Sequence, residues 1–246
     1  MAIIDVSSDP PLTLLGIVRR FFDITNIGDT PNAVIGTTDQ QVKQVRAILE
    51  TEGNTLSGRG MWTQQIFEAT HTTVATESQG NLSTICDNPR YILSDTAWDR
   101  TENLPLQVID ARGWQAEQGF AATSPRYSIR LRGKELISTP TPVAGNTWAF
   151  EYVTWNWILD DDGSTYKQYF TDDQDTFLLP EPILLQGLRW RWKKEKGFDY
   201  AEDFQTYEFM VKEELGRQRV PKVIRMDTTV RESVPGVVVP QGSWAL

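Results

Sequence analysis

The sequence has few of the residues from which catalytic and metal sites are usually built. Its 246 residues include one cysteine, Cys86, and one histidine, His71. A lone cysteine excludes a disulfide within the chain and a cysteine-rich metal cluster. His71 lies in a threonine-rich stretch of alternating residues, where a packed or surface position is far more common than a catalytic base. No GxSxG, HExxH or P-loop pattern occurs. We therefore predict a protein without catalytic residues, bound metal or cofactor.

Long apolar runs and an excess of basic residues are also missing. No stretch approaches the length that a membrane-spanning helix needs, and the opening residues, MAIIDVSSDPPL, lack the basic start and apolar core of a signal peptide. We therefore expect no membrane association. Acidic residues outnumber basic ones by 33 to 24, which gives a formal charge of −9. A protein that grips nucleic acid usually has the opposite balance, so we expect no specific nucleic-acid binding.

Tryptophan, in contrast, is abundant, with nine in the chain. Its large apolar body and single polar group suit both cores and interfaces. The aromatic residues near Glu151 and Asp160 also leave open a carbohydrate-binding or glycan-degrading function. The paired carboxylates of glycosidases meet only in the folded protein, so sequence spacing cannot identify them.

The acidic run at residues 160–162, just before Gly163, raises the question of calcium. If Gly163 took the invariant glycine position of an EF-hand loop, Ile158 would be the first ligand and Tyr169 the last. Neither residue has a carboxylate. We therefore interpret the run as a solvated turn.

Residues 179–216 show the clearest structural pattern, which predicts two helices joined by a tight turn. Pro180 and Pro182 suit a first helical turn, and Gly197 can take the left-handed conformation that ends a helix. Asp199, followed three residues later by Glu202, forms a capping box for the second helix. Apolar residues recur at helical spacing in both helices: Ile183, Leu184, Leu188 and Trp192, then Tyr200, Phe204, Tyr207, Val211 and Leu215.

The rest of the chain divides by its hydrophobic period. Helical spacing marks residues 1–58, with a capping box at Thr38 and Gln41 before the second of two helices. A period of two follows, and the longest predicted strand runs from Asn146 to Trp157. This order predicts an α+β fold in which the N-terminal and C-terminal helices form a helical bundle with an inserted, mainly antiparallel β lobe. The predicted segments are 1–58 (N-terminal helices), 59–171 (β lobe), 172–216 (C-terminal helical hairpin) and 217–246 (extended arm).

The predicted arm, residues 217–246, has no helical period and contains three prolines and two glycines. It is nevertheless too apolar for an ordinary disordered tail. Its apolar residues would be exposed unless a partner received them, which is typical of a segment that orders on binding. We predict that its partner-binding residues are Val237, Val238, Val239, Trp244 and Leu246.

Residues 189–194, RWRWKK, interleave basic and aromatic side chains, as single-strand nucleic-acid binders do. On a helix, however, alternate residues do not share a face. The helix macrodipole already favours positive charge in the last turns. We therefore favour an interpretation in which the tryptophans lie in the core or at an interface and the cations are solvated.

The stretch RWRWKKEKGFDYAEDFQTYE resembles the late helical pair of head-to-tail adaptors from short-tailed bacteriophages. These are the connector or tail tubular protein A type proteins that lie beneath the portal. The resemblance covers most of residues 10–216. VKQVRAILETEGNTLSGRGMWTQQIFEATHTTV is similar to the family's long helix and first strand, and ILSDTAWDRTENLPL and TPVAGNTWAFEYVTWNW look like its β-lobe segments.

This resemblance implies a structural virion protein in a twelve-fold ring of identical subunits, made in the host cytoplasm and incorporated into the neck of the virion. The ring would join the portal protein to the tail nozzle protein, with possible contacts to tail fibres, and viral double-stranded DNA would pass through it without specific binding. Residues 217–246 would be the portal-docking arm. The alternatives are a tail-associated glycan-binding protein that uses the tryptophan-rich β lobe, and a scaffold of a tail fibre or baseplate.

Overall fold

The computed structural model describes residues 12–119 and 126–218, and this part of the chain has a mixed α+β fold. Its six α-helices are α1 (Leu14–Thr25), α2 (Gln40–Arg59), α3 (Leu82–Ile85), α4 (Ala111–Gly119), α5 (Glu181–Lys196) and α6 (Ala201–Gln218). Its strands are β1 (Ile66–Thr72), β2 (Ser78–Asn81), β3 (Pro89–Ile92), β4 (Trp98–Asp99), β5 (Leu104–Pro105), β6 (Gln107–Val108), β7 (Ser128–Arg132), β8 (Glu135–Thr139), β9 (Thr147–Thr154), β10 (Ile158–Leu159), β11 (Tyr166–Lys167) and β12 (Thr176–Phe177).

Within these residues the strands form three sheets. The first has the order β1-β9-β4-β5, with β3 also paired to β9. The second has the order β2-β8-β7-β6, and the third, much smaller, has the order β11-β10-β12. Only the pairing of β6 with β7 is parallel; the others are antiparallel.

The predicted helical hairpin is present, and Gly197 ends its first helix as predicted. The predicted capping box at Asp199 and Glu202 is wrong by one residue, because the carbonyl of Tyr200 accepts the first helical N–H, that of Phe204. Helix α5 begins directly after Pro180 and ends at Gly197, which adopts the left-handed conformation with φ 74°. The Asp199 carboxylate accepts the backbone N–H of Ala201 at 3.1 Å, at the start of α6. These contacts satisfy backbone groups that a helix end leaves without partners.

The predicted capping box at Thr38 and Gln41 is wrong by one residue. Asp39 is the N-cap of α2, and its carboxylate accepts the N–H of Gln41 at 2.8 Å. The Thr37 hydroxyl accepts the N–H of Asp39 at 3.2 Å. A carboxylate is favoured here because its charge also complements the positive end of the helix dipole.

Helices from both ends of the chain share one apolar core. Its buried side chains come mainly from α1, α2, α5 and α6. Phe21 of α1, for example, packs edge-on against Trp192 of α5, with ring centroids 5.9 Å apart. Two of the five residues predicted for the apolar stripe of α6, Tyr207 and Val211, are fully part of this core.

A second core lies between the first two sheets and receives the aromatic face of β9. Trp148, Phe150 and Tyr152 are buried there, together with Ile129 of β7 and Leu136 of β8. This arrangement confirms that these three aromatic side chains share one face of their strand, as a period of two requires.

The predicted strand from Asn146 to Trp157 is too long. Strand β9 stops at Thr154, and Trp157 belongs to the helical core instead. Trp157 stacks on Phe177 at 6.2 Å, and its indole N–H donates to the Asn54 side chain of α2 at 3.0 Å. The Thr154 hydroxyl accepts the N–H of Asn156 at 3.1 Å, which turns the chain out of the sheet. Burial in the helical core thus overrides the strand propensity of this aromatic run.

Candidate interaction surfaces

The residues predicted to dock on a partner lie outside the described residues: Val237, Val238, Val239, Trp244 and Leu246. The last described element, α6, runs to Gln218 and precedes these residues in the chain. Surfaces that could bind a partner in the described part are therefore considered next.

Both tryptophans of the RWRWKK segment are buried, in agreement with the favoured interpretation. Trp190 and Trp192 are only 8% and 9% exposed. Trp190 packs against Phe204 in a T-shaped pair, with ring centroids 5.1 Å apart, and against Tyr200 at 6.3 Å. Trp192 lies 5.8 Å from Phe198. The two tryptophans thus pack against aromatic residues of the hairpin turn and of the start of α6.

The cations of this segment are not simply solvated, so that part of the prediction is wrong. Arg189 and Lys193 both form ion pairs with Asp203 of α6. Arg191 pairs with the buried Glu52 of α2. Lys194 lies over the Trp190 ring, 5.9 Å from its centroid. Because carboxylates already hold three of these cations, the segment offers little free positive charge to a phosphate backbone.

Four aromatic side chains of the hairpin remain exposed, and we call them together the hairpin aromatic surface: Phe198, Tyr200, Phe204 and Phe209. About 140° of helical rotation separates Phe204 from Phe209, so this surface covers more than one side of α6. Phe209 is 66% exposed and Phe198 57%. Phe209 lies two residues from Tyr207, and about 160° of helical rotation separates them, so it points away from the core. Exposed aromatic side chains of this size are enriched at protein–protein interfaces. The hairpin aromatic surface is therefore a candidate contact surface.

A second candidate is an open cleft of about 520 Å³ on the outer face of the first sheet. We call it the Trp98 cleft; its polar lining includes Glu68, Arg100, Asn103 and Glu151. Glu68 lies directly opposite Glu151 in the β1–β9 register, and Arg100 forms an ion pair with Glu68. Like charges in directly opposite positions cost stability, so this pair suits a cationic or hydrogen-bonding partner.

Asp99 also lines the Trp98 cleft, but its carboxylate is already engaged. It is fully buried and accepts the side-chain N–H groups of Asn146 at 2.9 Å and Trp148 at 3.0 Å. It also accepts the backbone N–H groups of Thr101 and Glu102. Asp99 therefore organises the turn after β4 rather than a ligand.

Burial shifts the pKa values of both Cys86 and His71. Burial raises the pKa of the Cys86 thiol to about 12, which leaves almost no thiolate at neutral pH. Burial also lowers the pKa of His71, against a hydrogen bond with Gln79 that raises it. Among residues 12–119 and 126–218, no group of three or more His, Cys, Asp or Glu side chains could hold a metal ion.

The acidic run at residues 160–162 forms a turn, as expected. Asp162 accepts the backbone N–H groups of Ser164 and Thr165, both at 2.8 Å. The Thr165 hydroxyl also donates to this carboxylate at 2.7 Å. These hydrogen bonds, that of the hydroxyl foremost, lower the pKa of Asp162. Asp160 instead pairs with Lys167, which also binds the buried Asp175 at 2.7 Å.

Comparison with protein-family models and with curated proteins finds no match to this chain. In the described ranges, no helix is long and apolar enough to cross a bilayer. Sequence reasoning had missed both candidate surfaces: the Trp98 cleft depends on strand register, and the exposure of Phe204 and Phe209 depends on which helix faces are covered. A partial signal for the second was that Phe209 falls outside the apolar stripe of α6.

Proposed function

We propose that this chain is a structural subunit of a phage neck, a head-to-tail adaptor that forms a ring below the portal and has no enzyme activity. The observation that carries the proposal is the hairpin aromatic surface. Phe198, Tyr200, Phe204 and Phe209 lie within a single helical hairpin and remain exposed although the opposite side of the hairpin is buried in the core.

A ring explains why one hairpin would be apolar on both sides. A subunit of a closed ring presents two different lateral faces, because each contact joins one patch to another patch on the next copy. Each copy therefore needs aromatic or apolar anchors in addition to those of its own core. The resemblance to adaptors supplies the expected number of copies, twelve, and the expected axial partners, the portal and the tail nozzle proteins, with possible contacts to tail fibres.

The finer architecture of the proposal follows the chain order. Helices α1, α2, α5 and α6 would form the bundle, and residues 59–171 would be the inserted β lobe. The shared core of helices from both chain ends supports this division. Residues 217–246 would form the portal-docking arm, with its predicted apolar anchors at residues 237–246.

The charge distribution suits the passage of DNA without binding. The formal charge is −9, and the cations of α5 are held by Glu52 and Asp203. A channel wall with few free cations makes few lasting contacts with phosphates. The subunit would be made in the host cytoplasm and would function in the neck of the virion.

The decisive experiment is co-sedimentation of the purified chain with its portal ring. We expect binding at one copy per portal subunit, and loss of binding when residues 230–246 are removed. The circular dichroism spectrum should be unchanged by the truncation, because none of the described helices or strands is touched. A truncated protein that still binds would refute the role of Val237, Val238, Val239, Trp244 and Leu246.

The Trp98 cleft supports a second candidate function, glycan binding. A tryptophan beside two carboxylates, an arginine and an amide provides both the stacking surface and the hydrogen-bonding groups that sugars use. Absence of portal binding at every salt concentration, together with glycan binding that Trp98→Ala abolishes, would favour this function over the adaptor.

A further inference from the structure

Among the described residues, no strand pairs with the outer edge of β1. On its inner side, β1 pairs with β9 over seven residues without a register shift. Thr73 N–H donates to Asn146 C=O at 2.8 Å, whereas Thr147 C=O accepts from Arg100 on the other side of β9. The direction of backbone hydrogen bonds alternates along a strand. The register therefore directs the backbone N–H and C=O groups of Phe67, Ala69 and His71 toward β9.

It follows that Glu68, Thr70 and Thr72 direct their backbone groups outward. Each of these three residues has one donor and one acceptor on this side. Within residues 12–119 and 126–218, none of these groups has a hydrogen-bond partner. The outer edge of β1 therefore offers an almost regular row of donors and acceptors to another strand.

The usual protection of such an edge is missing from β1. Natural proteins interrupt exposed edges with proline, a bulge or a lysine. Strand β1, with sequence IFEATHT, has none of these. Its one charged residue, Glu68, forms a surface ion pair with Arg100 and directs its side chain to a face of the sheet, not along the edge. This edge is thus suited to being covered by a strand.

A suitable strand occurs in the sequence just beyond the described residues. Apolar residues and threonine alternate with polar residues through residues 224–231, IRMDTTVR. One face would carry Ile224, Met226, Thr228 and Val230, and the other would carry Arg225, Asp227, Thr229 and Arg231. This period of two predicts a half-buried strand. Proline, which would interrupt pairing, is absent between Pro221 and Pro235.

The end of α6 brings this segment to the correct end of β1. The Gln218 side chain accepts the backbone N–H of Thr63 at 3.1 Å and donates to the Gln64 side chain at 3.4 Å. Thr63 and Gln64 lie immediately before β1, which begins at Ile66. Six extended residues span up to about 20 Å, so Ile224 can reach the start of β1 from Gln218.

We propose that residues 223–231 of this chain add a strand to the outer edge of β1, parallel to it. The apolar face of the added strand continues the second core beyond Phe67, which already packs against that core. The opposite face carries Arg225, Asp227, Thr229 and Arg231. Because pairing begins near Ile66, Arg225 lies beside the Glu68–Glu151 pair, which has only Arg100 as a cationic partner among the described residues. Residues 232–246 then leave from the far end of the sheet.

Amide hydrogen exchange in the full chain, resolved by residue, tests this directly. In the full chain, we expect protection of the outward amides of Glu68, Thr70 and Thr72 as well as the inward amides of Phe67, Ala69 and His71. Removal of residues 219–246 should accelerate exchange of the outward amides by about 100-fold or more. The inward amides should not change, and they report that the sheet is still folded. Removal of residues 232–246 alone should leave both sets protected.

Single substitutions provide a matched control for the truncations. Neighbouring residues of a strand direct their N–H groups to opposite sides, so one of Thr228→Pro and Thr229→Pro must remove a bond to β1. That variant should accelerate exchange of the outward amides, whereas Thr228→Ala and Thr229→Ala should not.

Two outcomes would overturn the proposal. The first is rapid exchange of the outward amides in the full chain. The second is protection that disappears on dilution, which would show that the strand comes from another copy. Neither depends on portal binding, so failure of this inference is distinguishable from failure of the proposed function.

Discussion

A buried carboxylate joins three helices of the helical core. Glu52 of α2 is fully buried and pairs with Arg191 of α5. Gly187 of α5 makes room for it, because a Cβ at that position would lie 2.6 Å from the Glu52 side chain. Burial, with the neighbouring Glu52 charge, raises the pKa of Tyr207 on α6 and keeps its phenol neutral. A buried charge of this kind is stable only while its partner is present.

We predict that Glu52→Gln lowers the free energy of unfolding by about 3 kcal/mol, because it leaves the Arg191 guanidinium without its counterion in a largely buried site. Urea denaturation measures the effect. Glu213→Gln is the matched control, since Glu213 pairs with Arg217 on the exposed face of α6 and should contribute less than about 0.5 kcal/mol. Equal losses in the two variants would contradict the assigned role of Glu52.

At the scale of elements, one arginine ties the β strands to the helical core. Arg90 of β3 donates to the carbonyls of Ser57 and Gly58 at 3.1 and 2.7 Å, at the C-terminal end of α2. Its guanidinium also lies 4.7 Å from the Trp155 ring centroid and 5.3 Å from that of Tyr91. Arg90 therefore satisfies carbonyls that the end of a helix leaves without partners, and it adds a favourable charge there.

Arg90→Met should lower the free energy of unfolding by about 2 kcal/mol, because hydrogen bonds from a charged donor are lost and a similar length of side chain is kept. Thermal unfolding followed by circular dichroism measures this change. Arg132→Met serves as the control, since Arg132 is exposed and its only ion pair among the described residues, with Glu77, is long at 3.6 Å. Equal melting temperatures of Arg90→Met and Arg132→Met would show that the hydrogen bonds from Arg90 to the end of α2 do not stabilise the fold.

At the scale of the whole molecule, the proposed ring makes the hairpin aromatic surface a subunit contact. Substitution of an aromatic residue that is buried only on assembly changes the free energy of unfolding of the monomer little. The same substitution weakens the subunit interface strongly. Stability and assembly should therefore respond separately to substitution on this surface.

We predict that Phe209→Ala raises the protein concentration needed for half of the subunits to form rings at least tenfold. The reason is that one buried aromatic anchor contributes about 2 kcal/mol or more to an interface. Mass photometry across a dilution series measures the fraction of rings. The monomer should unfold at an unchanged urea concentration. Tyr169→Ala is the control because Tyr169 is similarly exposed, at 59%, but lies outside the hairpin. Rings that survive Phe209→Ala unchanged would place the subunit contact elsewhere.

Local chemistry in the sequence predicted both ends of α5 and the positions of several strands. Pro180, Gly197 and Asp199 fix the hairpin by conformational limits and capping, which act over a few residues. The turn at Gly133 and the alternation before it similarly mark β7 and β8. The mixed α+β class was predictable for the same reason, because the change of period from helical to two is a local property.

Only the tertiary structure decided where the side chains with no local signal would lie. Trp157 continues an aromatic strand in sequence but packs on Phe177 and α2, because the helical core has room for it. Glu68 meets Glu151 only through the β1–β9 register. The cations of α5 find Glu52 and Asp203 on other helices. Such contacts join residues far apart in sequence, and their energies depend on burial, which no short window of sequence contains.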